Sequence, residues 1–252
     1  MKDEVLVGVM TRPVALVTGG GRGIGAAISD RLAADGYDVL LTYNQSSKPA
    51  EMVVDVIRER GDDALAVKVD CSDLGEVSLL GQHPWMARKI DVLVLNHGIY
   101  NRVDGKKMTL DDLETTMKTN FEGAVAVWKA VQPHLTEKAR MVVVGSQLGI
   151  RGSPHGADYS ASKAALSAWA RSLAQSVGPE GKRVNILAPG YVDTDLLGGD
   201  SPEKRRQRQT EVPLQRVGTA EDMASTVSFL VGPDSSYITG AILHVNGGLY
   251  LP

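Results

Sequence analysis

The chain has 252 residues, which suits one large α/β domain with a substantial core and leaves little room for two independent domains. Charged residues make up 23% of the chain and the formal net charge is −3, so no electrostatic field favours nucleic acid or an anionic membrane as a partner. The single cysteine, Cys71, excludes an internal disulfide and a cysteine-cluster metal site, and it fits a reducing compartment.

We do not expect the first residues of the sequence to form a membrane anchor. Residues 5–10 are uncharged, but six residues are too few to span a bilayer and no basic segment precedes them. We expect residues 1–12 to form an N-terminal extension and residues 13–252 to form one catalytic domain. The protein is expected to be soluble and cytoplasmic, with no metal.

A glycine-rich segment, Thr-Gly-Gly-Gly-Arg-Gly-Ile-Gly at residues 18–25, follows an apolar run at 14–17. Ile24, Ile28 and Leu32 then recur at a four-residue spacing, so the pattern predicts a strand, a turn and a helix. Glycine lets an anion approach the backbone closely, and a helix start attracts negative charge. The segment indicates a pyrophosphate site, although a glycine turn can also simply connect a strand to a helix.

Further apolar runs are spaced widely enough for helices between them. They lie at residues 39–41, 65–67, 92–95, 141–144, 184–187 and 241–245. The runs are continuous rather than alternating, as in strands covered on both faces. Seven such strands predict a doubly wound, seven-stranded parallel sheet.

The helical patterns between the runs differ in strength. A clear stripe ends at Val177 before Gly178-Pro179, and residues 112–132 also show helical spacing. Residues 73–89 contain two glycines and a proline, which predicts a short or broken helix. The polar stretch 195–213 is expected to form a mobile lid. The cluster of basic residues within it, which includes Arg208, is expected to form a solvated helix face.

Three side chains suggest acid–base chemistry. Tyr159 and Lys163 are four residues apart on one helix face, so an ammonium would lower the pKa of the phenol. Ser146 follows the fifth run, at the strand edge where open α/β sheets bind ligands. Tyr159 would exchange a proton with a carbonyl or alcohol oxygen that Ser146 holds. Each residue alone could equally be an ordinary structural one.

Six motifs in register resemble the short-chain dehydrogenase/reductase family. They are Thr18-Gly19-x-x-x-Gly23-x-Gly25, Asn96-x-Gly98, Asn120, Ser146, Tyr159-x-x-x-Lys163 and Pro189-Gly190. The resemblance runs from about residue 13 to the C-terminus and implies a single-domain Rossmann fold. It implies that Tyr159 is the acid–base, Ser146 polarises the carbonyl, Lys163 assists Tyr159 and binds the nicotinamide ribose, and Asn120 holds a relay water.

The same resemblance implies the cofactor-binding residues. They are Gly19, Gly21, Arg22, Gly23, Ile24, Gly25, Asn44, Ser46, Asp70, Cys71, Asn96, His97, Gly98, Tyr159, Lys163, Pro189, Gly190, Val192 and Thr194. Asp70 and Cys71 are expected to end the third strand beside the adenine. The second strand ends without the acid that NAD-preferring members carry, while Arg22 offers a cation and Asn44 and Ser46 offer donors, so NADP(H) is favoured over NAD(H).

The C-terminal segments 212–218, 237–240 and 243–250 resemble those of 3-oxoacyl-carrier-protein reductases. This resemblance implies reduction of a 3-oxoacyl thioester by a homotetramer, with an acyl carrier protein as a partner. Two alternatives stay open: turnover of a free alcohol or ketone, such as a polyketide, sugar or steroid, and a non-catalytic dinucleotide sensor. Substrate shape is expected to depend on side chains such as Tyr100, Gln147 and Tyr191.

One motif departs from the family pattern. The usual Asn-Asn-Ala-Gly is Leu95-Asn96-His97-Gly98 in this chain. Leu95 removes a polar residue that ties neighbouring strands together, and His97 places a titratable ring near the expected nicotinamide pocket. We expect His97 to have a packing or surface role rather than a catalytic one.

Overall fold

The computed structural model describes residues 12–194 and 198–252. The described residues form one seven-stranded sheet in which every neighbouring pair is parallel. The strands are β1 (Val14–Val17), β2 (Asp38–Tyr43), β3 (Ala64–Lys68), β4 (Ile90–Leu95), β5 (Leu135–Val144), β6 (Arg183–Pro189) and β7 (Ile242–Val245). Their order is β3-β2-β1-β4-β5-β6-β7. The predicted doubly wound parallel sheet, a Rossmann fold, is confirmed.

Helices connect these strands. They are α1 (Gly23–Ala34), α2 (Ser47–Glu59), α3 (Leu74–Gly81), α4 (Leu110–Met117), α5 (Gly123–Val131), α6 (Leu148–Arg151), α7 (Ala157–Val177), α8 (Pro202–Glu211) and α9 (Ala220–Val231). Short 3-10 turns complete several connections, among them Pro84–Arg88 after α3. The predicted break within residues 73–89 is therefore confirmed.

The core consists of two apolar layers, one on each face of the sheet. Successive strand residues point to opposite faces, so Leu16 and Leu93 join one layer while their neighbours Val17 and Val94 join the other. The first layer receives side chains from α3, α5 and α7, and the second receives them from α1, α2 and α9. Because both faces are covered, the strands are apolar throughout.

The helix expected at residues 112–132 is interrupted. The chain forms α4, then a π turn at Lys118–Glu122, then α5. Thr109 and Asp112 close the start of α4 with a capping box. A π turn admits one extra residue per turn and is frequent at functional sites. Here it contains Asn120, which is fully buried.

Two expectations concern segments that lie partly outside the described residues. The N-terminal extension, residues 1–12, lies outside the described residues except for Arg12. The expected lid, residues 195–213, is described from residue 198 and contains α8, whose first turn is capped by Ser201. In the described part of the chain, no helix is long and apolar enough to span a bilayer.

Candidate active site

The carboxyl ends of β1 and β4 mark the point where the strand order reverses. Chain segments leave β1 and β4 toward opposite halves of the sheet, which opens a crevice at this edge. The segments that follow β1, β4, β5 and β6, including the first turns of α7, carry most of the residues singled out in the sequence. The topology therefore brings the glycine segment and the Ser146, Tyr159 and Lys163 group to the same edge.

The glycine segment is packed tightly between β2 and β4. Gly19 has a φ of +62°, which favours glycine. The amide nitrogen Nδ2 of Asn96 donates to the carbonyl oxygens of Thr18 and Gly19, at 3.1 and 3.0 Å. A Cβ on Gly25 would lie 2.1 Å from the Gly19 carbonyl oxygen. Only glycine fits at position 25, and Asn96 fixes the shape of the turn.

The start of α1 fits the pyrophosphate of a dinucleotide. The first N–H groups of any helix lack intrahelical acceptors, and α1 begins at Gly23 directly after the basic residue Arg22. Gly23 has a φ of +51°, and among the described residues a Cβ there would meet the side chain of Thr194, at 3.5 Å. Thr194 therefore lies against the glycine turn, so two residues that the sequence predicts to bind the cofactor are neighbours in the fold.

On the far side of β1, four predicted residues lie near one another beyond β2 and β3. The sequence predicted that Asp70 and Cys71 end β3, but this strand stops at Lys68 and the two residues follow it. Asp70 turns the chain here, because its carboxylate accepts hydrogen bonds from the backbone N–H and the hydroxyl of Ser72. The hydrogen bonds from Ser72 lower the pKa of Asp70, and Asn44 contributes to that shift. Burial raises the pKa of the Cys71 thiol to about 12. Ser46 occupies the N-cap position of α2 at the same edge, and its side chain makes no capping hydrogen bond there.

Ser146, Tyr159 and Lys163 converge at the end of β5. The Ser146 hydroxyl accepts from the Leu148 backbone at 3.1 Å and faces the Tyr159 phenol. The Lys163 ammonium is buried and donates to the Val144 carbonyl oxygen at 2.8 Å. Its nitrogen lies 5.7 Å from the centre of the Tyr159 ring. The expected grouping of the three side chains is present.

The pKa of Tyr159 differs from the expectation. The sequence predicted a value lowered by Lys163, but burial raises the pKa of Tyr159 to about 12 and outweighs the hydrogen bond with Ser146. Burial also lowers the pKa of Lys163 to about 8. The physical reason is the same for both groups: loss of water disfavours whichever form carries a charge.

Asn120 connects the loop after β4 to the head of α7. Its side chain accepts from the Ile99 backbone at 2.8 Å and donates to the Ile99 carbonyl and the Ser162 hydroxyl, both at 3.0 Å. Gly98 lies between Asn120 and Lys163, since a Cβ there would approach both side chains. The predicted Asn120 therefore stands beside Lys163 with its own polar atoms engaged.

His97 is turned away from Tyr159 and toward β1. Its Nδ1 atom is 2.7 Å from the Thr18 hydroxyl. Burial and then the nearby Lys163 lower the pKa of His97 to about 4, so the ring is neutral near neutral pH. This arrangement agrees with the expected packing role.

The remaining predicted residues follow β6. The Pro189 carbonyl accepts from the Gln147 backbone, and the Gly190 amide donates to Val245, so this segment is tied to both neighbouring strands. Val192 forms a parallel bridge with Gly218. Together with Thr194, these residues form the wall of the crevice opposite the glycine segment.

Two features were missed by sequence reasoning. Arg208 is buried rather than solvated: it pairs with Asp200 at 2.5 Å and lies 4.5 Å over the Tyr191 ring. Arg102, in the loop after β4, reaches the same carboxylate at 3.3 Å. The second feature is an aromatic contact between Tyr100 and Tyr159. Neither had a signal in the sequence, because both depend on contacts between distant segments.

A glycine turn at a helix start, a strand-order switch point and a serine–tyrosine–lysine group at one sheet edge define a dinucleotide-dependent oxidoreductase. The model of a family described as enoyl-(acyl carrier protein) reductase matches residues 19–250. The chain belongs to the short-chain dehydrogenase/reductase family, and it is an NAD(P)-dependent enzyme of that family.

Several relatives match over almost their whole length. The 3-oxoacyl-[acyl-carrier-protein] reductases FabG of Staphylococcus aureus and Salmonella typhimurium are each 35% identical over 94% of this chain, covering 98% and 97% of their own lengths. A short-chain dehydrogenase from Burkholderia cenocepacia in complex with NADP is 40% identical, with a TM-score of 0.89 over 94% of this chain and 97% of its own. A blue fluorescent protein from a metagenomic library in complex with NADPH is 37% identical, with a TM-score of 0.89 over 95% of this chain and 98% of its own.

Proposed function

We propose that the protein reduces a ketone to a secondary alcohol with NADPH, and that its substrate is a 3-oxoacyl thioester. The observation that carries this proposal is the convergence of Ser146, Tyr159 and Lys163 at the end of β5, beside the glycine segment. Two hydroxyl groups side by side can both bond one carbonyl oxygen. A non-catalytic dinucleotide sensor would have no need for this group.

The proton chemistry follows from the positions of the side chains. Ser146 binds the carbonyl oxygen while Tyr159 donates its proton to it. A bound nicotinamide supplies the hydride to the carbonyl carbon. The resulting phenolate is stabilised by the Lys163 ammonium, whose pKa of about 8 leaves it largely protonated at neutral pH. The phenolate then takes a proton from the Lys163 ammonium, and Lys163 regains one from a relay water beside Asn120.

The pKa of about 12 for Tyr159 favours reduction at neutral pH. Tyr159 is then protonated and ready to act as an acid. Oxidation of an alcohol requires the phenolate, which is scarce until the medium is alkaline.

NADP(H) is the proposed cofactor. Arg22 at the glycine turn offers a cation to a 2′-phosphate, and Asn44 and Ser46 offer donors at the edge beyond β2. An acid directly after β2 would repel the phosphate, and residues 42–47 contain none. The related structures in complex with NADP and NADPH support the same choice.

The thioester substrate is supported by the 3-oxoacyl-[acyl-carrier-protein] reductases among the relatives, and an acyl carrier protein is then the proposed partner. The family model is described by a different reaction, enoyl reduction, in which a proton goes to carbon rather than oxygen. The two hydroxyls at the site favour an oxygen acceptor. We further propose a cytoplasmic homotetramer.

The test compares three substrates in the loss of NADPH absorbance: acetoacetyl thioester, crotonyl thioester and a free cyclic ketone. Rapid turnover of the acetoacetyl thioester alone supports the proposal, whereas preference for the crotonyl thioester supports enoyl reduction. Activity only on the free ketone supports the alternative of a free ketone reductase. The Tyr159→Phe variant is the matched control and should lose turnover by about 10²- to 10⁴-fold while keeping NADPH binding.

A further inference from the structure

The ring of Tyr100 packs against the ring of Tyr159. The two ring centres are 4.5 Å apart and the ring planes are inclined by 36°. Such tilted, offset contacts are favourable for aromatic pairs. Tyr100 lies in the loop after β4, whereas Tyr159 lies in the first turn of α7, so the contact joins two elements that carry parts of the site.

A second set of contacts holds Tyr100 in place. Its hydroxyl donates to the His155 carbonyl oxygen at 3.0 Å. A Cβ on Gly156 would lie 2.5 Å from ring atom Cε2 of Tyr100, so the ring packs directly on the backbone just before α7. Tyr100 is therefore wedged between Gly156 and Tyr159, and the absence of a side chain at position 156 makes room for it.

Among the described residues, few polar or titratable side chains face Tyr159. Ser146 reaches its hydroxyl from the loop after β5, and Lys163 lies one turn along α7. From the loop after β4 the facing group is Tyr100, whose electrostatic effect adds to that of burial in raising the pKa of Tyr159. His155 and Asp104, 3.9 Å apart, are exposed beyond the Tyr100 hydroxyl.

We propose that Tyr100 is a positioning residue for Tyr159, holding its ring in place and keeping water from it, and thereby confining alcohol oxidation to alkaline pH. The inference rests on the proposed function, because it assigns Tyr100 a task only if Tyr159 moves a proton. The contact is between the two aromatic rings. Tyr100 acts through the ring face, with its hydroxyl serving as an anchor to His155.

The experiment measures the pH profile of kcat for alcohol oxidation with NADP⁺, beside ketone reduction with NADPH, in four variants. Tyr100→Leu removes the aromatic face. Tyr100→Phe keeps the face and removes the anchor. Gly156→Ala displaces the Tyr100 ring without changing it, and Tyr237→Leu, at a fully exposed tyrosine, is the matched control.

We expect Tyr100→Leu and Gly156→Ala to move the alkaline limb of the oxidation profile about one pH unit lower, since water gains access to the phenol. Reduction at neutral pH should fall about tenfold in both variants. Tyr100→Phe should shift the midpoint less than Tyr100→Leu, because it removes only the electrostatic effect of the Tyr100 hydroxyl. Tyr237→Leu should keep the wild-type midpoint. Thermal unfolding and NADPH titration check that each variant is folded and binds the cofactor.

An unchanged midpoint in folded Tyr100→Leu and Gly156→Ala would overturn the inference while leaving the proposed function standing. An equal shift in Tyr100→Phe would also overturn it, because the hydroxyl rather than the ring face would then be responsible. If the wild-type protein turns over no ketone, the proposed function fails and the inference fails with it.

Discussion

The Nδ1 atom of His97 lies 2.7 Å from the hydroxyl oxygen of Thr18, and this contact joins the ends of β4 and β1. The same hydroxyl accepts from the backbone of Asn96 at 3.0 Å. Leu95 is buried and contributes no polar atom to this junction. His97 thus supplies, two residues later, the polar connection between strands that the family pattern assigns to an asparagine.

Replacing His97 with alanine should change how stability depends on pH. The folded-state pKa of about 4 lies below the unfolded value of about 6.5, so between these limits the unfolded chain binds a proton that the folded chain does not. Wild-type stability should therefore fall by on the order of 2 kcal/mol as the pH drops from about 7 to about 4.5, and the variant should lack this part of the loss.

Urea unfolding across this pH range measures the effect. His83, His134, His155 and His244 are present in both proteins, so the difference between the two slopes isolates His97. Thr18→Val is the companion variant, since it removes the hydroxyl and keeps the titrating ring. Identical slopes for wild type and His97→Ala would contradict the prediction.

Gly25→Ala should destabilise the protein and abolish NADPH binding. The new methyl group would lie 2.1 Å from the Gly19 carbonyl oxygen and 2.5 Å from Asn96 Nδ2, so the glycine turn must move. We expect a loss of about 3 kcal/mol in the free energy of unfolding. Gly178→Ala is the control, because a Cβ there meets nothing within 4 Å and should leave stability nearly unchanged. Comparable losses in the two variants would contradict the steric argument.

The sheet could be predicted because each strand is a continuous apolar run between helices, and burial on both faces requires that composition. The grouping of Ser146, Tyr159 and Lys163 followed from two local facts: a four-residue spacing on a helix and a position at a strand end. Local patterns of this kind do not depend on contacts between distant segments. They were sufficient to predict the grouping of side chains at the candidate site.

The pKa of Tyr159 could not be predicted from the sequence. The four-residue spacing to Lys163 is local, but the burial that raises the pKa arises only when distant segments of the chain pack around the Tyr159 ring. Arg208 was misjudged for a similar reason. Its neighbours in the chain are exposed charges, whereas its partners Asp200 and Tyr191 are brought to it by the fold.

Asn120→Ala should lower the free energy of unfolding by about 3 kcal/mol. The substitution leaves the Ile99 amide and carbonyl, together with the Ser162 hydroxyl, without their buried partner. Urea unfolding gives the loss, and Asn101→Ala, at an exposed asparagine in the same loop, is the control. A variant as stable as the control would mean that the π turn relaxes and pairs these groups in another way.

Arg22→Ala should weaken the binding of NADPH more than the binding of NADH. If Arg22 binds the 2′-phosphate, its loss should weaken NADPH binding about tenfold, equivalent to about 1.4 kcal/mol, and leave NADH binding nearly unchanged. The wild-type preference should also shrink as salt is added, because screening weakens an exposed charge pair. Calorimetric titration with both cofactors measures the two affinities.

Arg58→Ala, at an exposed arginine in the last turn of α2, controls for the loss of one positive charge. Equal weakening of both cofactors would instead place Arg22 on the pyrophosphate, which the two molecules share, and the preference for NADPH would then have to arise from Asn44 and Ser46.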